Sequence, residues 1–412
     1  MRNRATVTTT GEKQSDPHPT FGARLIPLLL LTSIFFVNFI ARIVLAPLMP
    51  GIESDLNISY AEAGSLFLAI SLGYFVSLLS SGFISSRLTH KQTIISSGMA
   101  LGLALISISF CSGLWPMRLG AFGLGVAAGP YLPSAVATLT TLFESRHWGR
   151  AIAIHELAPN LSFVLAPMIC EIVLYWYSWR AVFRVIGVVA LVLSMVFAHS
   201  GRGGKFHGEP VSYTSIRKII LKPAFWVMVV LFSLGISSTL GIYSMLSLFL
   251  VTEHGMERNW ANTLIGLSRV ASIVVTFAGG WATDRFGPRQ VLRIVFLLTG
   301  LMTIFIGMAS TTWVTVAVFL QPVMAVCFFP AGLAALSMVS SSKDRNIAVS
   351  LTVPLAFMVG AGATPTLVGY MGDVHSFGTG IALVGGAILM GAFISGYLKF
   401  QGLSESSQTI NQ

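Results

Sequence analysis

Arg42 and Arg269 each stand inside an apolar run, where a charge at the centre of a membrane helix costs ~2.5 to 3.5 kcal/mol on insertion scales and is seldom left without purpose. A guanidinium is a planar fork of donors. In such a place it can hold a carboxylate, a sulfonate or a phosphate ester through two parallel hydrogen bonds. Asn38 precedes Arg42 by one helical turn and shares its face. Arg42 lies about six residues from the expected outer end of its helix, so an arginine snorkelling to the interface is the competing explanation. Arg269, 15 residues before Asp284, is too deep for that. An anion bound between two arginines from opposite halves of the chain would draw those halves together, which is the differential affinity a conformational cycle requires. Tyr131, Tyr243 and Asn160 add hydroxyl and amide groups for a cargo, and Tyr74 a further hydroxyl; packing and interface positions are the alternative for the tyrosines.

His155 and Glu156 are neighbours in the sequence, with Asn160 one turn beyond. Consecutive helical positions diverge by ~100°, so only one of the pair can face a central cavity. Glu156 is the expected proton acceptor, or the charge partner of an arginine, and His155 is the second candidate. A structural pair tied to Arg150 or to the turn after the fourth helix is the alternative. A carboxylate whose desolvation changes as a cavity opens would titrate with that opening, and so couple transport to a proton gradient.

Other chemistries find no residues to carry them. Cys111, Cys170 and Cys327 all lie in apolar runs, without disulfide or CxxC spacing. Gly201-Arg-Gly-Gly-Lys205 is followed by Phe206 where a phosphate loop needs Ser or Thr. No metal site, cofactor site or catalytic triad is expected, and no enzyme.

The elements that must position these residues are membrane helices. Hydrophobic residues make up 54% of the 412 and charged ones only 10%, more apolar than a soluble surface tolerates. Roughly 20 helical residues cross a hydrocarbon core. Runs of that length fall at 25–49, 61–85, 91–112, 115–142, 150–174, 179–199, 223–251, 260–283, 289–309, 312–339, 345–370 and 377–399. The net charge of +10 reflects topology rather than a nucleic-acid surface. Apart from Arg42, Arg118, Arg180, Arg184, Arg258 and Arg269, the Lys and Arg residues fall in the N-terminal tail, the even-numbered turns, the central loop or the C-terminal end. Both termini are therefore expected in the cytoplasm, in a bacterial inner membrane. The expected organisation is a tail over 1–24, six-helix bundles over 25–199 and 223–400 joined by a linker over 200–222, and a tail over 401–412.

The chain repeats itself. Gly82-Phe-Ile-Ser-Ser-Arg87-Leu-Thr-His-Lys-Gln92 and Gly280-Trp-Ala-Thr-Asp284-Arg285-Phe-Gly287-Pro-Arg289-Gln290 stand 198 residues apart, each where an apolar run gives way to a basic turn. Arg150-Ala-Ile-Ala-Ile-His-Glu-Leu-Ala-Pro159 and Arg345-Asn-Ile-Ala-Val-Ser-Leu-Thr-Val-Pro354 open the fifth and eleventh helices in register. Doubled halves of this kind place a substrate site between them near mid-membrane. Gly98 with Gly102, and Gly125 with Gly129, have a spacing that lets helices approach closely. Pro159, Pro167, Pro354 and Pro365 are expected to break helices five and eleven.

Gly280 to Arg289 resembles the conserved loop G-x-x-x-D-R-x-G-R-R of the major facilitator superfamily, and the twelve-helix pattern extends that resemblance over nearly the whole chain. The resemblance implies an all-α fold of two pseudo-symmetric bundles, alternating access, and a gating role for Gly82, Arg87, Gly280, Asp284, Arg285, Gly287 and Arg289. Phe39 to Arg42, then Ala46 to Ser59, is similar to the first helix and loop of organic-anion members such as the anion:cation symporters, and Gly125 to Ala135, Arg150 to Pro167 and Trp179-Arg180 continue it more weakly. Glycerol-phosphate carriers are similar around His155 and Glu156, and carboxylate carriers use an arginine in the eighth helix, about two turns from Arg269. The first hinge departs from the motif, with Ser86 for Asp and Thr89 for Gly, which implies a weaker latch there. Ala128 stands near where the symporters often carry an acid.

These residues imply a monomeric secondary transporter of a small organic anion, with protons or another ion as coupling partner. A drug or siderophore exporter of the same superfamily is the alternative, although Ala158 to Pro167 lacks the Gly-Pro and Gly-Gly signature of many such antiporters. A membrane-embedded enzyme or sensor is the remaining class, and no catalytic cluster supports it.

Overall fold

The structure, a computed structural model, describes residues 21–208, 213–339 and 345–398. Apart from a short 3-10 turn at Phe21–Arg24, the expected tails lie outside the described residues. Among the described residues, twelve helices are long and apolar enough to cross a membrane: α1 Leu25–Leu56, α2 Tyr60–Arg87, α3 His90–Ile108, α4 Leu114–Leu142, α5 Ser145–Leu174, α6 Trp179–Ser200, α7 Pro223–Thr252, α8 Arg258–Phe286, α9 Pro288–Met308, α10 Thr311–Met338, α11 Ala348–Val374 and α12 Phe377–Tyr397. Seven of the eight tryptophans are exposed near helix ends. Trp115, Trp176, Trp260 and Trp313 ring one end of the molecule, and Trp148, Trp226 and Trp281 the other, as two interfacial belts require.

The first span is longer than its apolar run suggested. Helix continues through Pro50 to Leu56, so Arg42 sits 14 residues, or about 21 Å at 1.5 Å per residue, from that end. That depth removes the easy route to the interface.

Prolines place the helix breaks by removing donors. Pro159 has no N–H for the carbonyl of His155, and α5 turns there at Glu156 between two helical segments. Pro130 likewise leaves the carbonyl of Val126 free in α4, and Ser77 Oγ of α2 donates to it at 2.7 Å. In α11 a π-helical stretch, Met358–Ala363, precedes Pro365; a second, Ser237–Gly241, interrupts α7 beside it. Pro167 and Pro354 sit inside continuous helix, so only two of the four expected proline breaks occur.

Small residues set the packing within each half. A Cβ at Gly102 in α3 would stand 2.7 Å from the carbonyl of Gly187 in α6; one at Gly300 in α9 would stand 3.0 Å from that of Gly385 in α12. Gly102 and Gly300, like Gly187 and Gly385, are 198 residues apart. The doubling read from the hinges therefore extends to the core of each bundle.

The hinges themselves differ. Gly287 takes φ 81°, a left-handed-side conformation open to glycine, and starts α9 without a side-chain cap. Thr89 instead caps α3 reciprocally with Gln92. Residues 201–208 fold back over this first hinge, where the N–H groups of His90 and Lys91 donate to the carbonyls of Phe206 and Gly204, and Gly208 N–H to Ser85 O. The strap and the capping box supply contacts that Ser86, bonded only to Phe83 O, cannot.

Candidate functional site

The two halves meet at the end away from the hinges. Asp373 at the close of α11 accepts hydrogen bonds from the first N–H groups of α2, Tyr60 at 2.9 Å and Ala61 at 2.8 Å, satisfying donors that a helix start leaves free. Glu171 of α5 takes both Nε and Nη2 of Arg258 in α8, at 3.2 and 3.3 Å, and the amide of Asn262 at 2.6 Å. Asn262 also donates to the carbonyl of Pro47 in α1. Backbones come close here: a Cβ on Gly64 of α2 would lie 2.5 Å from the carbonyl of Pro365. By contrast, the hinge-end portions of α4, α5, α8 and α10 take their main packing partners from their own half. The molecule is closed at one end and parted at the other.

Both arginines lie at the seam. Arg42 of α1 is half-buried, with its Nε enclosed and unpartnered. Its guanidinium lies 4.8 Å from the ring of Phe39, 4.5 Å from Tyr74 and 5.8 Å from Phe357 of α11. A cleft of about 30 Å³ adjoins it, lined from both halves by Ser71, Tyr74, Ser244 and Phe357. Arg269, at a break in α8, is 6% exposed. Its Nη2 donates to Thr239 O at 3.3 Å, its Nε has no partner, and its guanidinium lies over Phe163 at 4.8 Å and Tyr243 at 5.1 Å.

Phe39 and Phe163 meet edge to face at 5.3 Å. In this conformation the guanidiniums are thus joined through a pair of rings and share no open chamber. Among the described residues, no carboxylate forms an ion pair with either arginine. Cation–π contacts of this kind are worth ~0.5 to 2 kcal/mol, less than a carboxylate would give in so dry a place. The arrangement can therefore accept an oxyanion. Tyr243, whose ring also packs on Phe163, has a buried hydroxyl with no partner.

The other expected residues are distributed as follows. Asn38 donates its amide to Ala128 O at 3.1 Å, tying α1 to α4. Asn160 donates to Glu156 O in its own helix. Tyr131 is fully buried, and its hydroxyl meets Leu31 O at 2.6 Å and His155 Nε2 at 3.2 Å. His155 is fully buried too, with its ring stacked on Phe35 at 4.5 Å. The Glu156 side chain is 50% exposed, and its Oε1 lies 3.7 Å from His155 Nδ1. Among the hinge residues, Arg87 covers the Phe83 ring, Asp284 and Arg285 are exposed, and Arg289 donates to Gly396 O. Gly280 has open space where a side chain would go.

Sequence reasoning missed Phe163, Phe357 and the Glu171–Arg258–Asn262 cluster. Phe39, three residues before Arg42 and so on its helical face, was open to inference; nothing local to residue 163 or 171 announces a partner in another helix.

The profile of the family described as Major Facilitator Superfamily matches residues 31–281 and 257–409. Multidrug resistance protein MdtL of Shigella dysenteriae serotype 1 (strain Sd197) is 24% identical over 259 residues, which is 61% of this chain and 66% of MdtL. MdtL of Escherichia coli O157:H7 is 24% identical over 262 residues, again 66% of its length. The match spans just under two thirds of these relatives. A bacterial homolog of the human lysosomal transporter Spinster, solved inward-facing and occupied, aligns with a TM-score of 0.78 at 16% identity, covering 92% of this chain and 97% of that one. A mutant of the nucleoside transporter NupG aligns at 0.77 and 12% identity, covering 90% and 99%. At such identities the structural likeness concerns the fold. With its twelve spans, doubled halves and a family match along most of its length, the chain belongs to the major facilitator superfamily of membrane transporters.

Proposed function

We propose that this transporter carries a small organic anion with a flat apolar body, by alternating access coupled to protons. The observation that carries the reading is the pair of guanidiniums, one from each half, that lie on aromatic rings, each with an enclosed and unpartnered Nε and with no ion-pair partner among the described residues. A cargo touching both takes the place of the Phe39–Phe163 pair between them, so a ring-bearing carboxylate or sulfonate suits it better than a compact inorganic ion. Binding of that cargo links the halves, and so favours closure. Glu156, exposed toward the parted end, is the proton acceptor in this scheme. In this reading the excess of Lys and Arg at the hinges supports a cytoplasmic side for the parted end and both termini, in a bacterial membrane.

A second reading, export of drugs or siderophore-like compounds, is supported by the likeness to MdtL. Two unpaired cations at the seam oppose a cationic drug. The readings separate in proteoliposomes containing the purified protein. Flux of benzoate or benzenesulfonate that is lost in Arg42→Ala and in Arg269→Ala supports the anion carrier. Flux of ethidium or a neutral dye, with both anions inert, overturns it in favour of the exporter.

A further inference from the structure

The surroundings of His155 fix where its hydrogens lie. A tyrosine hydroxyl owns one hydrogen, and a backbone carbonyl can only accept. Tyr131 must therefore spend its hydrogen on Leu31 O, 2.6 Å away. Toward His155 Nε2, at 3.2 Å, the phenol oxygen is left only as an acceptor, so Nε2 carries the imidazole hydrogen. Nδ1 then holds a lone pair when the ring is neutral. That atom is buried without a partner, and Glu156 Oε1 faces it at 3.7 Å. A lone pair opposite a carboxylate repels it, and one proton on either atom turns that repulsion into a hydrogen bond.

We infer that His155 and Glu156 form a single-proton store at the bend of α5, and that Tyr131 is the positioning residue that decides which imidazole nitrogen receives the proton. In this role Tyr131 acts through His155 and does not touch cargo. The inference rests on the proton-coupled reading above and deepens it by joining two separate candidates into one site. The carboxylate is half-exposed, while the imidazole lies wholly inside. Between them runs the break that Pro159 imposes, so the proton sits where the hinge-end part of α5 meets the part that packs on α8.

The groups facing this store come from three elements. From α4 comes Tyr131, from α5 Glu156 itself, and from α1 Phe35, which does not titrate. Phe35 also connects the store to the anion site. Its ring lies parallel to the imidazole at 4.5 Å and meets Phe39 edge-on at 6.4 Å, and Phe39 carries Arg42 and touches Phe163. Movement of the imidazole on protonation is thereby transmitted along one face of α1 to the rings between the two arginines.

The test needs no cargo. Histidine is labelled with ¹⁵N in the purified full-length protein in nanodiscs, and the His155 signals are assigned by their loss in His155→Gln. The expected spectrum at pH 8 shows the Nε2–H tautomer, with Nδ1 gaining a proton as pH falls. In Glu156→Gln the response of Nδ1 to pH is expected to differ from the parent's, because the facing carboxylate is gone. In Tyr131→Phe the hydrogen moves to Nδ1, since Nε2 has lost its acceptor. Alkylation of Cys170, buried at the closed seam, is compared at each pH between the parent and Glu156→Gln, so that the thiolate fraction cancels, and the ratio of the two rates is expected to change over the range in which Nδ1 gains its proton in the parent. An Nδ1–H tautomer in the parent, a titration indifferent to Glu156→Gln, or a parent-to-variant ratio of Cys170 labelling rates that ignores pH overturns the inference. Loss of anion binding alone would instead refute the cargo assignment and leave these readouts unchanged.

Discussion

Replacing Glu171 by glutamine should loosen the closed end, and Cys170 beside it can report the change. Glu171 receives Nε and Nη2 of Arg258 and the amide of Asn262, and so joins α5 of one half to α8 of the other. Its side chain is 13% exposed, and that of Arg258 is 39% exposed. Hydrogen bonds to charged groups contribute ~1.5 to 3 kcal/mol each in buried settings, but solvent around Arg258 screens its share. Glutamine retains one acceptor oxygen for Asn262. The net loss is therefore about 1 to 2 kcal/mol, which moves the closed-to-open equilibrium roughly 5- to 30-fold. Cys170 is fully buried and lies within electrostatic reach of Tyr243 and Arg258 of the second half, so N-ethylmaleimide reaches it when this seam parts. With Cys111 and Cys327 replaced by serine, Glu171→Gln should raise the alkylation rate by that factor. A rate equal to the parent's, in a protein of normal stability, would show that the Glu171 cluster does not hold the halves together.

Four further changes test the seam and the hinges. Asp373→Ala removes both acceptors from the first N–H groups of α2 and, as a lost cap worth ~1 kcal/mol, should raise Cys170 labelling about fivefold; no rise would place closure elsewhere. Gly369→Val sets a side chain against the Tyr60 carbonyl across the seam, and should leave Cys170 readily labelled while helical content by circular dichroism stays intact; protected Cys170 would contradict the close approach. Gly287→Ala forces φ 81° on a residue with a Cβ, at a cost of about 1 kcal/mol, and should lower the melting temperature. Thr89→Ala should do the same through the lost capping box, and an unchanged melting temperature in both would show that the hinges carry no stability.

The helix count and the doubling were legible because membrane spans depend on local length and polarity, and because a repeat leaves a constant displacement in the chain. The same 198-residue step led from the hinges to the paired glycines at 102 and 300. The extent of α1 was not legible, since Pro50 looked like a helix stop yet lies within a helix. The two π-helical stretches escaped as well: glycine, serine and proline there suit several backbone forms, and contact between α7 and α11 selects one. At the site, the arginines could be found because charge in an apolar run stands out. Phe163 and Phe357 could not, because phenylalanine is common in such helices and only tertiary packing brings these two to the arginines. Glu171, Asp373 and Arg258 read as ordinary helix-end charges until the halves were seen together.

The proposal depends on Arg42 and Arg269 holding one anion jointly, and a thermal-shift titration of the purified protein with benzoate and benzenesulfonate, with benzamide as neutral control, examines that. At a concentration 100 times the dissociation constant, a ligand stabilises the folded state by ~2.7 kcal/mol. The parent is expected to be stabilised by the two anions and indifferent to benzamide. Arg42→Gln and Arg269→Gln should each abolish the response, and the double variant should lose nothing more. Stabilisation of both single variants equal to the parent's would contradict a shared anion site.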